Sequence, residues 1–378
     1  MMAPHVGLER RVLAALEAAP PRIPVLLGGC GTGRTTALNA VAERLGREEC
    51  QYVDVERAAS TPERFFAAVS AASPFLRSGR GAPPRSAREA FDHTLSYLAQ
   101  ARALDRPATF LLDEVLELRT FESFPGLRHI QREVVQAMQE SVNRFVLTSR
   151  YVARAHRLLR DASARFEVIH LPALSQSEVN AMLPATGGPG NEDRDFLSRT
   201  IQALSDGRAA YVRAISEATS TGSGRTGDPV SALTALLTSD GVLTAWCGYR
   251  YELRLHRARG YGALKAILEI LADEEPLTLT EIALRLHRTP GSTKDYLSWL
   301  EDVDLVVSRQ KRYSFTDPVL RLWVRLHCRP VPPTVDEVAR EVQSYALARL
   351  PQSEPTLAMA GAVVGATDRK RWGIVEID

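Results

Sequence analysis

The chain has 378 residues, with 47 Lys and Arg against 45 Asp and Glu, so its formal net charge is only +2. Hydrophobic residues make up 45% of it and charged residues 24%, a globular composition that excludes disorder of the whole chain. No stretch of about 18 apolar residues occurs, so we expect no membrane partner. The four cysteines are scattered without a CxxC pair, which favours free thiols in a cytoplasmic protein over disulfides or a zinc site.

Short apolar strands alternate with amphipathic helices in the N-terminal half of the chain. The predicted strands lie at 23–27, 51–55, 108–112, 145–148 and 166–171, and the predicted helices at 7–18, 35–45, 62–69, 87–103 and 127–142. This alternation predicts an α/β fold, with a parallel sheet and helices on both of its faces.

A glycine-rich loop joins the first strand to the second helix. Residues 28–35 (GGCGTGRT) have the GxxxxGK[ST] spacing of a phosphate-binding loop, or P-loop, with Arg34 in place of the usual lysine. Glycines allow successive backbone N–H groups to face phosphate oxygens, and the next helix adds its N-terminal amides. The sequence therefore predicts a nucleotide-binding loop that consists of Gly28, Gly29, Cys30, Gly31, Thr32, Gly33, Arg34, Thr35 and Thr36.

Arg34 is the departure from the usual P-loop, and the first 264 residues contain no lysine at all. Arginine keeps the positive charge, but its side chain is longer, planar and forked. Nucleotide binding tolerates this change better than hydrolysis, because hydrolysis needs tighter geometry. Two hypotheses therefore stay open. The first is that the chain is an ATPase. The second is that it is a nucleotide-binding switch or DNA-binding regulator that hydrolyses little ATP.

Two carboxylates follow the strand at 108–112. The carboxyl ends of parallel strands meet at one edge of a sheet, so Asp113 and Glu114 are expected beside the P-loop. We expect Asp113 and the Thr35 hydroxyl to hold Mg²⁺, and Glu114 to polarise the attacking water.

The strand at 145–148 also ends in polar residues. Thr148 or Ser149 is expected to hydrogen-bond the γ-phosphate or the water, and Arg150 to bring positive charge to it. Arg165, which precedes the last strand, is a candidate arginine finger.

The chain after residue 172 is predicted to be mainly helical. Helices at 175–183, 193–205 and 209–219 predict a small lid, and the Ser/Gly-rich stretch 220–229 predicts a linker. Residues 230–258 are also predicted to be helical, and an arginine cluster that consists of Arg250, Arg254, Arg257 and Arg259 lies at their end. Residues 261–316 then predict three helices and a hairpin, which is the layout of a winged helix-turn-helix.

The winged helix is a candidate for DNA contact. The residues concerned are Ser292, Thr293 and Lys294 at the start of its third helix, and Arg309, Lys311 and Arg312 in its wing. Residues 261–328 contain nine Lys and Arg but ten Asp and Glu, which is not the basic surface that DNA binding favours. A packing or protein-docking role is therefore an equal alternative.

Several motifs together resemble the archaeal-type, STAND-group AAA+ ATPases. The segments that carry the resemblance are the P-loop, 6–9 (VGLE), 111–114 (LLDE), 147–150 (LTSR), 171–175 (LPALS), 207–211 (GRAAY) and 313–323 (YSFTDPVLRLW). Leu8 and Ala209 replace the arginine and the proline that this family usually shows. The resemblance implies an ATPase core, a helical lid and a C-terminal winged helix, with ATP and Mg²⁺ as cofactors.

The sequence thus predicts an ATPase whose nucleotide state controls a winged-helix module. The expected divisions are a nucleotide-binding domain (1–171), a lid and linker (172–228), connecting helices (229–260), a winged helix (261–328) and a C-terminal extension (329–378). The candidate partners are ATP or ADP, double-stranded DNA or a protein at the winged helix, and further copies of the chain in a nucleotide-dependent homo-oligomer. A replication-initiator ATPase is a third hypothesis, although such proteins usually carry Asn at the strand that here ends in Thr148.

Overall fold

Five parallel strands form the central sheet of the N-terminal part. The computed structural model describes residues 6–46, 48–75, 83–104, 106–183, 191–221, 227–256 and 260–350. The strands of the sheet are β1 (Ile23–Leu27), β2 (Cys50–Asp54), β5 (Thr109–Asp113), β6 (Arg144–Ser149) and β7 (Phe166–His170), in the order β2-β5-β6-β1-β7. The strands β3 (Arg102–Ala103) and β4 (Arg106–Pro107) form a separate short hairpin. The predicted α/β fold with a parallel sheet is confirmed.

Helices cover both faces of this sheet because the strand residues alternate between two apolar layers. Phe110 and Leu112 pack in one layer, whereas Leu111, between them in sequence, packs in the other. The helices are α1 (Val6–Glu17), α2 (Arg34–Leu45), α3 (Val55–Ala58), α4 (Pro62–Ala71), α5 (Ala87–Gln100), α6 (Ile130–Glu140) and α7 (Val152–Leu159), with a 3-10 helix at Val115–Ser123. α1 and α2 lie on one face, and α3 to α7 contribute to the core on the other. The 3-10 helix and α7 are elements that the sequence did not predict.

The C-terminal part is built from helices around one continuous apolar core. Its first helices are α8 (Gln176–Met182), α9 (Asn191–Ser205), α10 (Ala209–Thr221), α11 (Pro229–Leu236) and α12 (Val242–His256). Residues 230–258 are predicted to be helical, and the structure divides their described part into α11 and α12, with a break between the two helices. A Cβ atom at Gly241 would stand 2.2 Å from the Leu236 carbonyl oxygen, so this tight break requires glycine.

The remaining elements form the winged-helix layout. They are α13 (Tyr261–Asp273), β8 (Leu277–Thr278), α14 (Leu279–Arg285), α15 (Pro290–Asp302), β9 (Val306–Arg309), β10 (Arg312–Phe315) and α16 (Pro318–His327). The antiparallel order β8-β10-β9 places the β9–β10 hairpin as the wing, and its turn holds Gln310 and Lys311 at positive φ. α17 (Val335–Arg349) packs back against α9 and α11. Residues 351–378 of the predicted C-terminal extension lie outside the described residues.

No helix within the described ranges is both long enough and apolar enough to cross a membrane.

Candidate functional site

The P-loop connects β1 to α2 at the carboxyl edge of the sheet. Gly33 caps α2 with φ +95°, a conformation that is open to glycine and strained for other residues. β6 lies between β1 and β5 in the sheet, so the ends of these three strands stand side by side. The topology therefore brings the loop, the Asp113–Glu114 pair and Thr148 to one edge, as the sequence predicts.

Asp113 is the centre of a group of hydroxyls at this edge. Its Oδ2 accepts hydrogen bonds from Thr35 Oγ1 at 2.7 Å and from the Tyr52 hydroxyl at 2.9 Å, and its Oδ1 accepts one from Thr148 Oγ1. Asp113 is buried, whereas Thr35 is exposed to the cleft. A carboxylate and a hydroxyl in contact are hard oxygen donors of the kind that Mg²⁺ takes, so these residues fit such an ion. Tyr52, in the middle of β2, was not predicted, because no rule of spacing or strand ends points to that position.

Glu114 lies beside Asp113 in a strained, left-handed backbone conformation with φ +56°. Its Oε1 accepts a hydrogen bond from Arg34 Nη2 at 2.6 Å, and its Oε2 accepts one from the backbone N–H of Arg150 at 3.0 Å. Burial raises the pKa of this carboxyl, but the charges of Arg34 and Arg150 outweigh burial and lower its pKa overall. The group is therefore an ionised carboxylate with both oxygens engaged.

Arg34 turns back into its own loop. Its Nη1 donates to the carbonyl oxygens of Gly28 and Gly29, while its Nη2 binds Glu114. Arg34 belongs to the predicted nucleotide-binding loop, but in this structure its guanidinium binds carbonyl oxygens of that loop and the Glu114 carboxylate. The guanidinium is buried, and it links the P-loop to Glu114.

Arg150 and Thr148 lie at the site, but Ser149 does not face it. Arg150 is ion-paired with Glu56 and with Glu114, where its Nε lies 3.3 Å from Oε1. The Ser149 side chain is fully buried, and its Oγ accepts a hydrogen bond from the backbone N–H of Tyr151 at the start of α7. Its expected contact with phosphate is therefore corrected to a structural role.

Arg165 lies at the opposite edge of the sheet, so its candidate role as an arginine finger is corrected for the P-loop of its own chain. It precedes β7, and a residue before a parallel strand lies at the amino edge. Its guanidinium donates to the carbonyl oxygens of Pro21, Gln139 and Ser141, which also belong to that edge.

The P-loop is also held by two arginines from the C-terminal part. Arg208, just before α10, donates to the Cys30 carbonyl oxygen at 3.0 Å and to the carbonyl oxygen of Thr316. Arg254, on α12, donates to Cys30 Sγ and, at 2.9 Å, to the carbonyl oxygen of Asp304. Burial raises the pKa of the Cys30 thiol, but Arg254 and its neighbouring arginines lower it overall. The sequence showed the arginine cluster at the end of residues 230–258 but did not place Arg250 and Arg254 at the loop; Arg257 and Arg259 lie outside the described residues.

The other predicted loop residues hold the turn or lie on α2. Thr32 Oγ1 donates to the Gly29 carbonyl oxygen at 2.9 Å, which closes the loop on itself. Thr36 is half-buried in the first turn of α2.

An open cleft of about 780 Å³ lies over this edge of the sheet. One wall carries the P-loop, Thr35, Asp113, Glu114 and Arg150. The other wall is α12, through side chains that include Trp246, Tyr249 and Arg250. This cleft has the space and the charged groups for a phosphorylated ligand.

The winged-helix candidates divide by exposure. Lys294, Arg309, Lys311 and Arg312 are exposed and Ser292 is half-buried. Thr293 is fully buried, and its Oγ1 donates to the Thr289 carbonyl oxygen at 2.9 Å. Its expected contact with DNA is therefore corrected to a bond inside the helix. The other end of α15 is ion-paired with the N-terminal part, through Asp302 and Arg157 of α7.

Neither a protein-family model nor a curated protein sequence matches this chain. Among solved structures, it is similar to the Walker-type ATPase PABY2304 of Pyrococcus abyssi, with 16% identity and a TM-score of 0.63 over 86% of this chain and 96% of that one. It is also similar to the Orc1 protein of Aeropyrum pernix, solved in complex with DNA, with 18% identity and a TM-score of 0.43 over 93% of this chain and 95% of that one. The Cdc6p of Pyrobaculum aerophilum gives 14% identity and a TM-score of 0.43 over 93% and 96%. The similarity to the Pyrococcus protein, together with the sheet order and the P-loop, shows that this chain has the fold of a P-loop ATPase.

Proposed function

We propose that this chain is an AAA+-type ATPase that binds Mg-ATP at the P-loop and uses its nucleotide state to control the C-terminal winged helix. The observation that carries the proposal is the contact of 2.7 Å between Thr35 Oγ1 and Asp113 Oδ2 beside the glycine-rich loop. Thr35 and Asp113 would hold the ion, which when bound neutralises charge on the phosphate oxygens. The backbone N–H groups of the loop would hold the phosphates themselves.

Glu114 is the residue that we propose to orient the attacking water. In this structure both of its oxygens accept hydrogen bonds, one of them from Arg34. Despite its burial, the charges of Arg34 and Arg150 lower the pKa of this carboxyl and make it a weaker base, so hydrolysis should be slow while the Arg34–Glu114 pair stays closed. This observation favours a second candidate function, a nucleotide switch with slow turnover.

Binding of Mg-ATP is tested by calorimetry on the full chain with and without Mg²⁺. Thr35→Ala removes one oxygen ligand and should weaken Mg-ATP by about tenfold, the worth of one charge-assisted interaction, with little effect on metal-free ATP. Asn39→Ala is the matched control, because Asn39 is exposed on the same helix. Equal Mg-ATP affinity of the wild type and Thr35→Ala would contradict the proposed site.

Turnover separates the two candidate functions. Glu114→Gln keeps the size of the side chain but removes its charge, so phosphate release should fall by about 10²–10⁴-fold while ATP still binds. A wild type that binds Mg-ATP but releases no phosphate would instead support the switch.

We propose duplex DNA as the target of the winged helix. The exposed side chains of Lys294, Arg309, Lys311 and Arg312 support this, because they provide cations at the start of α15 and in the wing. Few phosphate contacts imply weak, salt-sensitive binding, which fluorescence anisotropy at low and moderate salt would measure. Arg309→Glu should abolish that binding. No binding at low salt, with either ATP or ADP, would leave a protein as the target.

A further inference from the structure

Tyr52 reaches the carboxylate of the candidate site from a neighbouring strand. Its hydroxyl donates to Asp113 Oδ2 at 2.9 Å. In the register of β2 and β5, Tyr52 lies opposite Leu111, two residues before Asp113. Residues two apart on a strand share one face of the sheet, so Tyr52 and Asp113 lie on the same face. The tyrosine ring packs there against the apolar layer that α2 covers, and its hydroxyl extends to Asp113.

The Asp113 carboxylate is fixed by hydrogen bonds on both of its oxygens. Tyr52 and Thr35 donate to Oδ2, and Thr148 donates to Oδ1. An ionised carboxylate has about four lone-pair sites, so these hydroxyls leave about one for a further donor such as a metal-bound water. Asp113 is only 4% exposed, so solvent competes little for these bonds. The orientation of the carboxylate therefore depends on these hydroxyls.

Tyr52 differs from the other two donors because its hydroxyl serves Asp113 alone. Thr35 is itself proposed to hold the ion, and Thr148 Oγ1 also accepts from the backbone N–H of Glu114 at 2.9 Å. The Tyr52 hydroxyl makes no second hydrogen bond to any residue that the structure describes. Burial raises the pKa of Tyr52, and the charge of Asp113 raises it further, so the phenol keeps its proton near neutral pH.

We propose that Tyr52 is a positioning residue for Mg²⁺, whose hydroxyl holds Asp113 in the orientation that receives the ion or a water bound to it. This inference rests on the proposed function. Tyr52 lines the same cleft as Thr35 and Asp113, so its hydroxyl lies at the place where the ion would bind. Groups that hydrogen-bond a metal-binding side chain orient it, and their loss typically weakens metal binding by about 10–100-fold. Tyr52 would thus act through Asp113 and not on the nucleotide itself.

The test measures the affinity of a non-hydrolysable ATP analogue by calorimetry over a series of Mg²⁺ concentrations, for the full chain and its variants. Tyr52→Phe keeps the ring and its packing but removes the hydroxyl. It should raise the Mg²⁺ concentration that gives half of the gain in affinity by about 10-fold or more, and leave the affinity without Mg²⁺ unchanged.

Tyr97→Phe is the matched control, because it also removes a phenol hydroxyl that is bonded to β2. Tyr97 donates to Gln51 Oε1 at 2.7 Å, and its ring packs in the apolar layer on the other face of the sheet. This variant should leave the Mg²⁺ dependence of the affinity unchanged. A shift as large as that of Tyr52→Phe would overturn the inference, since the loss of any bond to β2 would then have the same effect.

A second measurement assigns the effect to Asp113. Made in the Asp113→Asn background, Tyr52→Phe should cause a smaller further loss of Mg²⁺ affinity than it causes in the wild type, because the two side chains act as one unit. Losses that add in full would overturn the inference, since Tyr52 would then act on the ion by another route.

The outcomes separate the inference from the function on which it rests. A wild type that does not bind the ATP analogue, or whose affinity does not respond to Mg²⁺, would refute the proposed function and this inference with it. A wild type that responds to Mg²⁺, with the same response in Tyr52→Phe, would overturn the inference alone. Equal losses of affinity with and without Mg²⁺ would also overturn it, since Tyr52 would then support the nucleotide or the fold. Retained affinity without Mg²⁺ shows that the variant is folded.

Discussion

The buried pair of Arg34 and Glu114 allows a prediction of coupling energy. Arg34→Met keeps the length of the side chain without its charge, and Glu114→Gln keeps the size of the carboxylate without its charge. Made singly and together, these variants form a double-mutant cycle that isolates the energy of this one contact.

The magnitude follows from the geometry of the pair. Arg34 Nη2 and Glu114 Oε1 are 2.6 Å apart, and the two side chains are only 9% and 8% exposed, so water screens the pair little. Breaking a buried ion pair by removing one partner costs about 3–5 kcal/mol. Glu114 would still accept from the backbone N–H of Arg150 at 3.0 Å, so its charge would keep some compensation. We therefore expect a coupling energy of about 2–3 kcal/mol, below that range.

The assay is urea unfolding of the nucleotide-free protein and of the protein saturated with a non-hydrolysable ATP analogue. Without nucleotide the full coupling energy should be measured. With nucleotide, phosphate oxygens compete for Arg34, so the coupling energy should fall below about 0.5 kcal/mol, the deviation from additivity that is usual for independent sites. Coupling near zero without nucleotide would refute the energetic reasoning. Coupling that is unchanged by nucleotide would refute the idea that ATP releases Glu114.

Two further predictions concern residues outside that pair. Burial raises the pKa of Asp304 to about 6 in spite of Arg254 and Arg208, so the ionised form opposes folding above that pH. Asp304→Asn should therefore raise the melting temperature near neutral pH. This gain should disappear as the pH falls from about 6 to the ordinary pKa of an aspartate carboxyl, because Asp304 is then protonated in the folded protein. A gain in melting temperature that persists at low pH would show that the charge of Asp304 is not its cause. Arg165→Ala should lower the melting temperature but leave Mg-ATP affinity and turnover unchanged, because Arg165 bonds to carbonyl oxygens at the far edge of the sheet. A loss of turnover in the folded variant would restore a catalytic role.

The sequence predicts the centre of the candidate site because its signals are local. Loop spacing identifies Thr35, and the rule that parallel strands end at one edge brings Asp113 and Thr148 to it. The same rule excludes Arg165, which precedes its strand. Among 43 arginines in the chain, a position next to a strand was a weak reason to select one.

Contacts across large sequence separations could not be predicted in this way. Cys30 and Arg254 are 224 positions apart, and their contact depends on how α12 packs across the sheet edge. The arginine cluster was visible in the sequence, but no spacing rule connects it to the P-loop. The inward turn of Arg34 has the same origin, because its two carbonyl partners and Glu114 meet only once the loop and β5 are assembled.

The P-loop is bonded to the winged helix through guanidinium groups, and this has a thermodynamic consequence. Arg208 joins the Cys30 carbonyl to Thr316, and Arg254 joins the Cys30 thiol to the Asp304 carbonyl. Under the proposed function, a phosphate in the loop would change the surroundings of both arginines and therefore of the segments at both ends of the wing hairpin. Coupling between two binding sites is reciprocal. If the target of the winged helix raises the affinity for ATP by a given factor, ATP must raise the affinity for that target by the same factor. Because Arg208 and Arg254 each bond both to the P-loop and to a segment beside the wing hairpin, replacing them should reduce both factors together.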